Sequence, residues 1–274
     1  MTYTYYLPRY YSTMNFFPFT WQEVKQQEKK PVVIFLVSIG CLVAIRFLAS
    51  SSFLLSTGLF FRKFGWGQFY ETIEHYLSQG AHQHFWQLIY WASVTIFFYC
   101  VIPALFIVVV WKQRLADFGL KAKNKFGYWL TYLLAFACLF PIVLVASYSS
   151  EFQITYPFYL PLDAKDLIPY FIVWECFYLL QFFALEFFFR GFMVHGLKRY
   201  IGAYSILVMM IPYCMIHFNK PLPECVGSIF AGIFLGMMSY KTGSVWMGAF
   251  THMAVAISMD VLSLWHRGVI FNFP

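Results

Sequence analysis

IPYFIVWECFYLLQFFALEFFFRGFMV, residues 168–194, holds 27 residues and only three charges, Glu175, Glu186 and Arg190. A helix needs about 20 apolar residues to cross a hydrocarbon core of about 30 Å. A water-soluble domain has no place for such a run, because it must keep charge on its outer surface. The stretch reads as a transmembrane helix, and the rest of the chain repeats the pattern. Six further runs qualify or come close: Val32–Ala49, Phe85–Trp111, Tyr128–Ser147, Ile201–Ile216, Cys225–Tyr240 and Ser244–Leu264. The runs at 201–216 and 225–240 are short and carry Pro212, Gly227, Gly232 and Gly236. Short spans are tolerated when other helices bury them, and the Gly232/Gly236 step permits close helix approach. Ser52–Phe61 is too short to span and suits an interfacial or re-entrant position. The expected fold class is all-α, a polytopic transmembrane helix bundle of about seven spans (seven to eight).

Composition agrees. Of 274 residues, 61% are hydrophobic, 23% aromatic and 11% charged, which excludes both a soluble globule and a disordered chain. The net charge of +7 would hint at nucleic acid in a soluble protein. Here the basic residues fall in short gaps between apolar runs, so they report topology and contacts with lipid headgroups. No nucleic-acid motif is present, and none is expected as a partner. With the N-terminus in the cytoplasm, twelve basic residues lie inside and five outside, the densest inner group running from Lys112 to Lys125. The expected location is an inner or plasma membrane, with the N-terminus cytoplasmic and the C-terminus outside. The first residues lack a basic stretch followed by an apolar core, so no cleavable signal is expected. Segment 1–31 reads as a cytoplasmic or interfacial arm, and 32–274 as one membrane domain.

Cys41, Cys100, Cys138, Cys176, Cys214 and Cys225 lie in or beside apolar runs with no CxxC pair, and read as buried small hydrophobes. Glu71, Glu74, His75, His82 and His84 crowd the least apolar stretch, which suits an amphipathic loop better than a metal site.

Charge inside a span is costly and usually functional. The candidates are Arg46, Glu175, Glu186, Arg190, His217, His252 and Asp260. Arg46 is near a span end and can snorkel. Glu186 and Arg190 are i and i+4 with the acid first, the favourable pairing order. Glu175 shares their face but lies about 16 Å away along the axis. Asp260 reads as a span-end acid near the outer interface. A carboxylate, a guanidinium and two imidazoles on three spans can activate water, and they fit a proton relay in a small transporter as well.

Leu185-Glu186-Phe-Phe-Phe-Arg190-Gly191 resembles the E-E-x-x-x-R motif of the CAAX protease and bacteriocin-processing family of intramembrane proteases. Tyr213 to His217 resembles its F-x-x-x-H motif, with Tyr for Phe. His252 aligns with the histidine of H-x-x-x-N/D. The stretch from His217 through Lys220, Pro221 and Glu224 to Gly232, Gly236 and Thr242-Gly243-Ser244 is also similar. The resemblance places the protease-like core at about 168–264. It implies peptide-bond hydrolysis near the membrane surface, with Glu186 as the base or its support, Arg190 as orienter, His217 as base partner and His252 as oxyanion donor. Two departures stand out: the first Glu is Leu185, and the final Asn or Asp is Ala256. The alternative is a non-catalytic relative that binds a peptide, lipid or membrane-protein partner, as an immunity or assembly factor does. Expected partners are membrane lipids and a membrane-proximal peptide or protein. No cofactor is expected, although two histidines and a glutamate suit zinc chemically.

Overall fold

The structure is a computed structural model describing residues 29–121, 128–162 and 164–270. The expected N-terminal arm therefore lies outside the described residues, apart from Lys29–Pro31, as do Lys123 and Lys125.

Ten helical elements follow in chain order. They are α1 (Lys29–Leu48), α2 (Ser51–Arg62), α3 (Gly67–Glu74), α4 (Gln83–Val110), α5 (Trp129–Ala146), α6 (Ser150–Thr155), α7 (Lys165–Ile201), α8 (Tyr204–Met215), α9 (Leu222–Thr242) and α10 (Trp246–His266). No strand occurs among the described residues. The protein is an all-α polytopic bundle. Six helices, α1, α4, α5, α7, α9 and α10, are long and apolar enough to cross a membrane. The run expected at 201–216 forms only the 12-residue α8, about 18 Å long at 1.5 Å per residue. It packs against α9 as one arm of a hairpin. The stretch before α4 folds as α3 and a π-helical turn, His75–Gln79.

The lipid solvent explains the sidedness of packing. Leu36, Ile142 and Val145 point outward and are well exposed, which costs nothing where the surroundings are hydrocarbon. The middle of the bundle is α7. Half of its apolar window is buried within the protein, against 11% for α5. It touches α1, α4, α8, α9 and α10. Phe187, Phe188, Phe189 and Phe192 on this helix are fully buried with Ile34, Ile107, Leu197 and Tyr213. Gly232 and Gly236 let α8 approach α9. A Cβ on Gly232 would stand 2.9 Å from the Tyr213 ring, and one on Gly236 would stand 2.8 Å from Ile206.

Candidate active site

The site is built where α7 changes its winding. The helix is α-helical from Tyr170 to Glu186 and π-helical from Phe187 to His195. Such wide turns recur at functional sites because they shift the phase of every side chain after them. Leu185, at the place of the missing first Glu, packs into the apolar core. Glu186 faces the other way, toward α10, and is fully buried.

Glu186 Oε1 lies 2.9 Å from Arg190 Nη1 and 3.0 Å from His252 Nδ1. This is one carboxylate oxygen shared by a guanidinium and an imidazole. Arg190 is also fully buried, and its guanidinium stacks 4.1 Å from the centre of the Tyr213 ring. The pair supplies what burial demands of a charge, an opposite charge in contact. Gly248 makes room for it: a Cβ there would come within 3.1 Å of Glu186 Oε2.

The two histidines meet around Tyr213. The His217 ring is 4.9 Å from it and the His252 ring 6.5 Å, centre to centre. His217 follows α8 in the turn before α9, and its Nδ1 lies 2.8 Å from the Tyr213 carbonyl. A carbonyl only accepts, so Nδ1 carries the hydrogen and Nε2 keeps a lone pair. Burial pushes this imidazole down to about 4, with a smaller push from His252. His252 is part-buried against Phe182 at 4.5 Å and donates Nδ1–H to Glu186. Nε2 is the ring nitrogen that Glu186 does not engage.

With Nδ1 committed to Glu186, an oxyanion donor at His252, as expected from the resemblance, would have to act through Nε2. A buried carboxylate in contact with one ring nitrogen is an arrangement that fixes the orientation of an imidazole. His217 is brought beside the group through Tyr213 and makes no direct bond to Glu186 among the described contacts. Ala256 is buried in an aromatic cluster with Trp174 and Tyr178 and has no polar group to offer.

Glu175 and Asp260 belong elsewhere. Asp260, expected as a span-end acid near the outer interface, is 1% exposed and sits against Glu175 and Trp174. It lies two turns beyond His252 on α10, about 12 Å along the axis. A neighbouring polar group was not legible beforehand. Lys220 Nζ donates to the Tyr156 hydroxyl at 2.7 Å, that hydroxyl donates to Glu224 at 2.7 Å, and Lys220 lies 3.5 Å from Glu224. It braces the turn that carries His217. The Lys220/Glu224 spacing is visible in the sequence, but the partnership of Tyr156, 64 residues away from Lys220, is not. Among the described residues no three His, Cys, Asp or Glu side chains converge as a metal site would require.

Comparison with known families matches residues 167–258 to the family described as Type II CAAX prenyl endopeptidase Rce1-like. No curated protein and no solved structure matches the chain. The matched segment contains the whole Glu186–Arg190–His217–His252 arrangement and ends before Asp260. The match over residues 167–258, from α7 to α10, supports the resemblance of this third of the chain to the CAAX protease and bacteriocin-processing family.

Proposed function

We propose that this membrane protein hydrolyses a peptide bond close to the membrane surface, with His252 as general base and Glu186 as its orienter. The observation that carries the reading is the buried Glu186 Oε1–His252 Nδ1 contact at 3.0 Å. Glu186 fixes the tautomer, so Nε2 of His252 takes a proton from water as the oxygen attacks the peptide carbonyl carbon. The resulting imidazolium is held by the Glu186 carboxylate. It then returns the proton to the departing amine as the C–N bond breaks. Arg190 holds and aims Glu186, and the Tyr213 ring packs against Arg190 and beside both imidazoles. His217, neutral over the ordinary pH range, accepts a hydrogen bond from the water or from the substrate amide.

The decisive experiment incubates the purified full chain with a membrane-proximal peptide library. Products should form with the wild type and disappear with His252→Ala and Glu186→Gln. Cleavage that survives either change overturns the assignment.

One observation favours the second reading, a non-catalytic peptide-binding relative. Ala256 supplies no donor where the family's final motif has Asn or Asp, and loss of one oxyanion donor typically costs about 10²–10³ in rate. If the wild type captures peptides and cleaves none, the second reading stands. The double change Leu185→Glu with Ala256→Asn then tests whether the missing groups are the reason, since it should create cleavage.

A further inference from the structure

We infer that the end of the bundle opposite Tyr156 carries a binding site for a phosphoryl group, of the kind presented by an anionic phospholipid. The inference is independent of whether the chain cleaves peptides. A cavity of about 200 Å³ opens there between the start of α1, the loop after α4 and the last turns of α7. Lys30, Arg199, His195, Gln113 and Asp117 line it.

Its charge is unbalanced. No carboxylate lies within ion-pair distance of Lys30 or Arg199 among the described residues. Lys30 donates instead to the neutral amide of Gln113, and its ammonium stands 4.5 Å from the Trp111 ring and 5.2 Å from Phe118. Asp117, the one acid on the wall, is already paired with Arg114 at 3.3 Å. Two cations of the lining, Lys30 and Arg199, thus face one carboxylate that Arg114 already neutralises from outside the cavity. His195 is tied to Ser239 at 3.1 Å and adds a polar wall without adding an acid.

Position selects the ligand. The cavity lies where α4 and α7 end and α1 begins, beside Trp111, which is the depth of headgroups and of aromatic anchors. Phosphates of lipid headgroups occupy that depth, and basic pockets between helix ends suit them. An arginine fork with a lysine point charge matches phosphoryl oxygens in geometry and in charge.

The test uses the full chain in nanodiscs of phosphatidylglycerol or phosphatidylcholine, with retained lipid read by native mass spectrometry and thermal midpoints read in parallel. A second arm titrates the detergent-solubilised protein with inorganic phosphate. Phosphatidylglycerol should be retained and should raise the midpoint over phosphatidylcholine. Lys30→Gln with Arg199→Gln should weaken that retention about thirtyfold, from two cations at the usual worth of each. The charge-preserving pair Lys30→Arg with Arg199→Lys should keep it, which separates lost charge from lost folding, and Lys165→Gln, at the far end of α7 from Arg199, should leave it unchanged. If inorganic phosphate binds and the double variant abolishes that binding, the site takes free phosphate by the same chemistry. Undiminished phosphatidylglycerol retention in the double variant, or no binding of either probe to the wild type, overturns the inference.

Discussion

Gly248 shows how little space separates a working carboxylate from a displaced one. A methyl group there would meet Glu186 Oε2 at 3.1 Å, so the carboxylate, fully buried and held at Oε1 by two partners, must shift slightly against Arg190 and His252. Gly248→Ala should therefore lower turnover by about tenfold or more, since small misplacements at a reacting centre are costly. A kinetic assay beside a thermal melt checks it, and unchanged turnover would mean that the Glu186–His252 contact is not used. His217 gives a second prediction. Its folded value is lowered to about 4 from an ordinary 6.5, chiefly by burial, with His252, Lys220 and Glu224 as the charged groups near it. The unfolded chain then binds this proton before the folded one does. Its contribution to stability is level above 6.5 and is lost as the pH falls through 6.5 toward 4. The thermal midpoint should fall between pH 7.5 and pH 5, and His217→Gln should remove part of that fall. Equal slopes for both proteins would show that the imidazole is not buried as described.

Among the elements, the α8–α9 hairpin depends on polar contacts at its tip more than on length. Being too short to cross a membrane, α8 leaves the His217 turn to be fixed from outside the hairpin by Tyr156, whose hydroxyl accepts from Lys220 and donates to Glu224. Tyr156→Phe removes both bonds while keeping the buried ring, and should cost about 1–3 kcal/mol. Hydrogen exchange should quicken across 216–224 and stay slow in α10; uniform change, or none, would contradict this role. Much of this scale was readable in advance. The apolar runs located every long helix, but the short run at 201–216 reads as a span, where the structure forms only the 12-residue α8. The π-helical winding after Glu186 was not readable, because Phe187 to Phe189 and Phe192 are apolar in any register and give no sign of which turn they belong to. The direction of Glu186 was hidden for the same reason. In a regular helix adjacent residues point about 100° apart, and only the partner 66 residues later on α10 shows which one faces inward. The burial of Asp260 was not readable because its neighbour Glu175 lies on another span.

For the molecule as a whole, hydrogen bonds identify the two ends of the bundle. At one end Val245 N–H donates to Gly119 O at 3.1 Å, Lys198 to Tyr240 O at 2.8 Å, and Lys30 to Gln113. At the other, Lys220 meets Tyr156, Ser147 meets His266 at 2.8 Å, and His84 meets Phe158 O at 2.8 Å. The described residues begin at Lys29 on the first end and leave α10 at His266 on the second, so Lys29 and His266 lie at opposite ends of the bundle. The short α8 does not alter this, since α9 brings the chain back to Tyr240 beside Lys198 before α10 departs. Lys29, Lys30, Lys112, Arg114, Lys121, Lys198, Arg199 and Lys241 cluster at the first end, with Asp117 as the acid among them. Acids are as common as bases at the second, where Glu151, Asp166 and Glu224 stand with Lys165, Lys220 and Arg267. Basic loops are retained on the cytoplasmic side during insertion, so the first end should face the cytoplasm. In a variant with the native cysteines replaced, a membrane-impermeant thiol reagent applied to intact cells should label Gly268→Cys and spare Gln113→Cys, with both labelled after permeabilisation. The reverse pattern would put the basic cavity and its phosphoryl site on the outer leaflet. Labelling of both positions before permeabilisation would break the assignment of the two ends to opposite faces.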